Sequence, residues 1–276
     1  MRKMLGINNI EKLQDYVSFD VYSRLIASRH IFLALDNGAF LIAFYFCDIK
    51  NPSQRDERVC IYCGADEMIF ITDNSQCSEL MSAVDEKTDN YTQLLQFFNS
   101  LTANDIFELE KMEDRITDLE DSLITETRSN TKDSTKIIGM RRELLKMKRY
   151  YEQLALITED FTENTNKAFT PELLKRYKSL DKRMDYLLNS VVHLREYITQ
   201  VREAYQAQVD IEQNQIMKVF TVITAVFLPL TLIVGWYGMN LQMPEYGWSF
   251  GYPFAIILSV VVCIGCMVIF KLKKWY

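Results

Sequence analysis

Apolar residues come in short continuous runs at the start of the chain, at three- and four-residue spacing through the middle, and in two unbroken stretches at the end. His30–Leu35 and Ala39–Cys47 are apolar runs on either side of Asp36-Asn37-Gly38, a turn signal, and predict a hairpin. Val59–Cys63 and Met68–Thr72 form another candidate pair around Gly64–Glu67. Such strands need helices to cover them, and Ser75–Val84 and Tyr91–Phe98 are candidates. Together they predict a small α/β domain over residues 1–104.

After Asn104 the period becomes helical. Leu109, Met112, Ile116, Leu119 and Leu123 step by three and four, and the polar stretch Thr125–Thr135 interrupts them. Ile137, Met140, Leu144, Met147, Tyr151, Leu154, Thr158 and Phe161 resume the step. Thr170-Pro171-Glu172 is a helix start: a capping hydroxyl, proline at the first position, then an acid. From there Leu173, Tyr177, Leu180, Met184, Leu187, Val191, Leu194, Ile198, Val201 and Tyr205 keep a coiled-coil heptad. No proline or glycine interrupts it before Pro229, so one helix is predicted from Pro171 to about Tyr237, roughly 100 Å at ~1.5 Å per residue. Below the seam, Gln208, Glu212, Asn214 and Gln215 stand where apolar residues would continue it, as suits a water-filled entrance.

Met217–Tyr237 carries one charge, Lys218, and Tyr252–Phe270 carries none. Each is close to the ~20 residues that cross about 30 Å of hydrocarbon. The fold class expected is therefore an α+β membrane protein. It has an N-terminal cytosolic α/β domain (1–104), a helical hairpin and stalk (105–216) and a transmembrane hairpin (217–276) with a short outer loop at 241–251. Lys271, Lys273 and Lys274 follow the second span, whereas the loop has no Lys or Arg. The positive-inside rule puts the loop outside and both termini in the cytosol. Trp236, Tyr237, Tyr246, Trp248 and Tyr252 at one boundary and Trp275 and Tyr276 at the other read as aromatic belts.

Composition changes this picture little. The net charge of −6 comes without a basic block for nucleic acid, and the N-terminus has no apolar stretch resembling a signal peptide. Two histidines, with no phosphate loop or nucleophile motif, offer no catalytic constellation. Cys60-Ile-Tyr-Cys63 invites a zinc reading, with Cys47 or Cys77 as further ligands. A strand through Arg58–Cys63 would instead turn the two thiols to opposite faces. Cys263 and Cys266 read as small packing residues in the second span. Residues 105–126 are acidic and 132–149 basic, which predicts charge pairing between neighbouring helices.

One face of the first span, Thr221, Thr224, Leu228, Thr231 and Gly235, continues Asn214 and Met217. This small, hydroxylated stripe suits either close helix packing or a pore lining. It holds no carboxylate. Mg²⁺ dehydrates reluctantly, and neutral oxygens can bond its waters without stripping them. Two spans cannot enclose a passage, so a pore requires an oligomer.

At the outer end of this helix stands Tyr237-Gly238-Met239-Asn240, followed by Met243-Pro244-Glu245 and, after the second span, Lys271-Leu-Lys-Lys-Trp275. Here the chain resembles the CorA magnesium transporters, whose signature is Gly-Met-Asn after the first of two C-terminal spans. The close resemblance covers about Gln213–Tyr276, and upstream of it the architecture alone matches. It implies a homopentamer in the inner membrane, transporting Mg²⁺ down the membrane potential and gated by intracellular Mg²⁺. Gly238, Met239 and Asn240 would form the selectivity mouth, and Glu245 would attract cations. Asn214, Met217, Phe220, Thr221, Thr224, Leu228, Thr231 and Gly235 would line the pore. Phe220 and Leu228 stand where the family usually has smaller or unbranched apolar residues. Regulatory ligands cannot be assigned; Asp66, Glu67, Asp85, Glu86, Asp89, Asp181 and Asp185 are candidates. The rival readings are a Zn²⁺, Co²⁺ or Ni²⁺ transporter of the same family and a non-conducting membrane-anchored coiled-coil scaffold.

Overall fold

In the computed structural model, which describes residues 2–28, 30–35, 37–125, 131–239 and 247–273, the first apolar runs pair as one five-stranded sheet. The strands are β1 (Arg2–Leu5), β2 (Ile31–Ala34), β3 (Phe40–Phe46), β4 (Glu57–Cys63) and β5 (Met68–Thr72), in the order β1-β5-β4-β3-β2. Only β1 runs parallel to its neighbour, β5; the other pairings are antiparallel. The turn between β2 and β3 closes with Leu35 N–H donating to Ala39 O at 2.8 Å. Gly38 has φ +81°, a conformation that favours glycine. Asp36, the first residue of the expected turn signal, lies outside the described residues.

Register sorts side chains by face. Cys60 pairs with Ala43 and Ile71, and Cys63 with Phe40 and Met68. Cys60 joins a core with Leu41, Tyr62, Ile69, Leu13 and Leu25, covered by a 3-10 segment (Ile7–Asp15) and helix α1 (Phe19–Ala27). Cys63 faces the other way, so the strand reading of the two thiols holds. Burial pushes Cys47 up to about 12 and Cys60 to about 11, and raises Cys63 and Cys77 further. These are inert packing thiols.

The opposite face is aromatic. Phe44 meets Phe98, and Phe70 meets Phe97, of helix α3 (Asn90–Leu101), which follows α2 (Ser75–Ser82). Phe161, near the end of α5 (Thr131–Glu163), contacts Phe32 at 5.0 Å, Phe40 at 5.6 Å, Phe98 at 5.8 Å and Tyr177 at 4.8 Å. Such ring pairs add about 0.5–1.5 kcal/mol each beyond the area they bury.

Helix α6 runs from Pro171 to Tyr237 without a break. Thr170 caps it, its hydroxyl accepting from Leu173 N–H at 3.3 Å. The heptad positions from Leu173 to Val201 are buried, and Tyr205 is half-buried. Their cover comes from the same chain. Tyr197 OH donates to Glu120 on α4 (Asp105–Thr125) at 2.6 Å, and Thr158 on α5 donates to Asp181 at 3.0 Å. An ion pair joins α4 to α5, Arg115 to Glu143 at 3.2 Å, as expected of neighbouring charged helices, here with the base on α4 and the acid on α5. Glu110, Asp114 and Asp118 stand exposed on the outer side of α4, and Arg141 and Arg142 are exposed on α5. The opening residue of α4, Asp105, is buried and accepts a 2.8 Å bond from Tyr151 OH. Burial raises its carboxyl to about 6, while the Tyr151 bond and the Arg183 charge pull it down.

By its contacts the chain divides into two compact units, Met1–Arg202 and Glu203–Tyr276. The first holds the sheet, α1–α5 and the seam of α6. The second holds the rest of α6 and α7 (Gly251–Leu272).

Candidate functional site

Within the second unit, α6 and α7 are each long and apolar enough to cross a membrane. The face of α6 that is half-covered consists of Val222, Ala225, Val226, Pro229, Leu230, Ile233 and Tyr237, a three- and four-residue spacing. At Ala225 the two helices touch through a hydrogen bond. Pro229 has no N–H, so the Ala225 carbonyl four residues earlier loses its partner in the helix. The Cys266 thiol on α7 lies 3.8 Å from that oxygen and donates to it. A neighbouring helix thus satisfies a backbone group that hydrocarbon could not. The packing role expected of Cys266 omits this bond. Its signal in the sequence is Pro229 inside an apolar span.

The stripe singled out in the sequence lies elsewhere on α6. Asn214, Met217, Phe220, Thr221, Thr224, Leu228, Thr231 and Gly235 are all exposed. At about 100° per residue the centre of this stripe is roughly 160° around the helix from the half-covered face. Close packing against α7 therefore does not account for its small residues. Thr221 OH donates to Met217 O, and Thr231 OH to Phe227 O, each at 2.8 Å. A hydroxyl whose proton is bound to its own helix presents lone pairs outward. Waters around a cation point their hydrogens outward, so the stripe offers the complementary polarity. Leu228, Thr231, Leu232, Gly235, Trp236 and Met239 line a shallow groove of about 560 Å³ at its C-terminal end.

Gly238 closes the helix. Its N–H donates to Val234 O at 2.8 Å, and a Cβ at this position would stand 2.9 Å from that oxygen. Glycine is therefore required by the approach of the backbone to itself. Met239 is exposed. Asn240 and Glu245, the remaining residues of the expected mouth and loop, lie outside the described residues.

Several acids considered as regulatory ligands have structural partners. Asp89 caps α3 by accepting from Thr92 N–H at 2.9 Å. Glu86 pairs with Arg2 at 2.6 Å, Glu67 with Lys3 at 3.4 Å, and Asp85 accepts from Lys87 N–H at 3.0 Å. Asp181, which accepts from Thr158, and Asp185 line, with Glu159 and Asp56, a cleft of about 760 Å³ in the first unit. Burial raises the Asp181 carboxyl, the Thr158 bond lowers it, and Asp185 raises it. Among the described residues no three His, Cys, Asp or Glu side chains of the chain are grouped to hold a metal ion.

The comparisons with known proteins point one way. The family model for the CorA-like Mg2+ transporter protein matches residues 7–274. The cobalt/magnesium transport protein CorA of Thermotoga maritima is 27% identical over 197 residues, 71% of this chain and 52% of that protein. The magnesium transport protein CorA of Salmonella typhimurium is 38% identical over 103 residues, 37% of this chain and 33% of that protein. The matched stretch thus spans about half or less of these relatives' lengths. The complete CorA structure from Methanocaldococcus jannaschii shares the fold, with a TM-score of 0.77 at 20% identity over 98% of this chain and 88% of that one.

Proposed function

This chain belongs to the family of CorA-like Mg2+ transporter proteins, and from that premise we propose that it is one protomer of an oligomeric membrane pore that passes hydrated divalent cations, chiefly Mg²⁺. The observation that carries the reading is the exposed stripe on α6, away from α7, with the Thr221 and Thr231 protons bound to their own helix. Copies arranged with these stripes inward would enclose a path of neutral acceptors. Without carboxylates it would hold Mg²⁺ through its waters rather than trap it. Phe220 and Leu228, 61% and 69% exposed in one chain, would narrow the path and close it by dewetting.

Gly238, Met239 and Asn240 form the outer mouth in this reading, with Glu245 raising local cation concentration. The oligomer is a pentamer, as the family resemblance implies. The basic residues after α7 support a cytosolic C-terminus and uptake driven by a negative interior. Residues 1–104 and 105–216 serve as the cytosolic sensing domain and stalk. The Asp181–Asp185 cleft suits a role in sensing intracellular Mg²⁺.

The test is Mg²⁺ influx into liposomes loaded with a Mg²⁺-sensitive dye, comparing wild type with Asn240→Ala and adding Co²⁺, Ni²⁺ or Zn²⁺ as competitors. Influx that depends on Asn240 supports the pore and its mouth. Preferred passage of Co²⁺ or Zn²⁺ would change the ion. No divalent influx at low internal Mg²⁺ would replace the pore with the scaffold.

A further inference from the structure

We propose that the acidic outer side of α4 docks on the basic groove between α5 and α6 of an adjacent copy, closing the helical part of the oligomer head to tail. The inference rests on the oligomeric reading above. The groove lies in the first unit and has a volume of about 230 Å³. Three arginines, Arg141, Arg142 and Arg195, border it, over a floor that includes Ile138, Leu145 and Ile198. Ile138 and Leu145 are 46% and 37% exposed, so this side of the bundle is not sealed by its own chain. Among the described residues the three guanidinium groups have no ion-pair partner.

Their complement is on the same chain. Glu110, Asp114 and Asp118 are exposed on α4, turned away from the buried row Leu109, Met112, Ile116 and Leu119. They too lack ion-pair partners among the described residues. In the three-helix arrangement α4 packs on one side of α5 and α6, through Arg115–Glu143 and Glu120–Tyr197. Arg141, Arg142 and Arg195 belong to the other side. Complementary surfaces on opposite sides of one protomer make a heterologous contact, the kind that closes into a ring.

The two surfaces also sit at one level. Arg115 is beside Glu143, and Thr117 is 3.3 Å from Tyr197, so residues 114–118 of α4 lie level with 141–145 of α5 and 195–199 of α6. Copies related by rotation about an axis along the bundle meet level with level. Asp114 and Asp118 of one copy would then face the arginines of the next. Charges so arranged fix partner and register more than raw affinity. The occupant is therefore a second copy of this chain.

The test uses full-length protein in lipid nanodiscs and follows oligomer mass on dilution. Three variants are compared with wild type: Arg141→Glu/Arg142→Glu/Arg195→Glu, Glu110→Lys/Asp114→Lys/Asp118→Lys, and the six substitutions together. Five of the six positions are exposed and Arg195 is half-buried, and unchanged helical circular dichroism checks that each variant folds. Each triple should dissociate at roughly 100-fold higher protein concentration, since juxtaposed like charges repel strongly, and the sixfold variant should recover. A second measurement is disulfide cross-linking of Asp118→Cys/Arg142→Cys, which should give a ladder of linked copies. Triples that stay oligomeric like wild type, or a sixfold variant that fails to recover, would overturn the docking and leave the pore reading intact. Binding of inorganic pyrophosphate that needs the arginines, with oligomer mass unchanged, would make the groove a phosphate site instead. Monomeric wild type in nanodiscs would remove the oligomer and the docking together.

Discussion

The thiol of Cys266 donates to the carbonyl oxygen of Ala225 across 3.8 Å, and Pro229 is the reason that oxygen is available. Replacing Cys266 with alanine should cost about 0.5–1.5 kcal/mol in detergent unfolding, and serine should restore most of it. The cycle with Pro229→Ala is sharper. Alanine at 229 supplies the missing N–H, so the loss of the thiol becomes nearly neutral in that background. An equal cost with proline or alanine at 229 would mean that Cys266 matters through packing alone.

Asp105 sets a pH dependence. Its carboxyl titrates near 3.8 when unfolded and about 6 when folded, because burial opposes the charge. Above pH 6 both states are ionised and the full burial cost stands, about 3 kcal/mol for a shift of this size. As pH falls from 6 towards 4 the folded state takes up the proton first and the cost fades. Asp105→Asn should therefore be more stable than wild type at pH 7.5, by about 1–3 kcal/mol, with the gap falling to about a third of that by pH 4.5. A gap that does not change with pH would place the effect in the Tyr151 contact instead.

Gly235 separates pore from fold. A side chain there would meet nothing within 4 Å in one chain. Gly235→Leu should fold and oligomerise normally yet reduce Mg²⁺ influx at least ~10-fold by filling the path. Gly265→Leu has equally open space, but on α7, and should leave influx close to wild type. If Gly235→Leu conducts normally, the stripe faces lipid rather than the ion.

Gly238 acts through backbone geometry. A Cβ would stand 2.9 Å from Val234 O, so Gly238→Ala must shift the end of α6. We expect a destabilisation of about 1–2 kcal/mol together with lost influx. Asn240→Ala should lose influx with unfolding unchanged. Unfolding data that failed to separate these two variants would assign both residues the same role.

Much of this architecture is legible in local signals. Thr170-Pro171 marks the start of a 67-residue helix, and the absence of glycine or further proline before Pro229 lets it run on towards Tyr237. Of the seam predicted from Leu173 to Tyr205, all but the half-buried Tyr205 are buried. The hairpin around Gly38 follows from turn chemistry. Other parts depend on distant partners. Arg2–Leu5 has no strand pattern of its own and is held by parallel pairing with Met68–Ile71, far along the chain. Residues 7–27 form helical cover that the short apolar runs do not announce, although Ser18 caps α1 by accepting from Val21 N–H. Charge pairing between α4 and α5 is realised in Arg115 and Glu143, while Glu110, Asp114, Asp118, Arg141 and Arg142 stand exposed. The stripe on α6 is legible as a period, whereas in the proposed pore the surfaces it faces would belong to other copies.

The aromatic cluster around Phe161 has a consequence for how the first unit opens. Its ring touches side chains from β2, β3, α3 and α6, elements that lie far apart in sequence. None of them can swing away without leaving a void beside the others. Amide hydrogens in β3, in the C-terminal half of α5 and around Tyr177 should then exchange with solvent deuterium through one shared opening, with similar protection, rather than segment by segment. Stress applied to the long helix at Tyr177 would reach the sheet as a change in that shared protection.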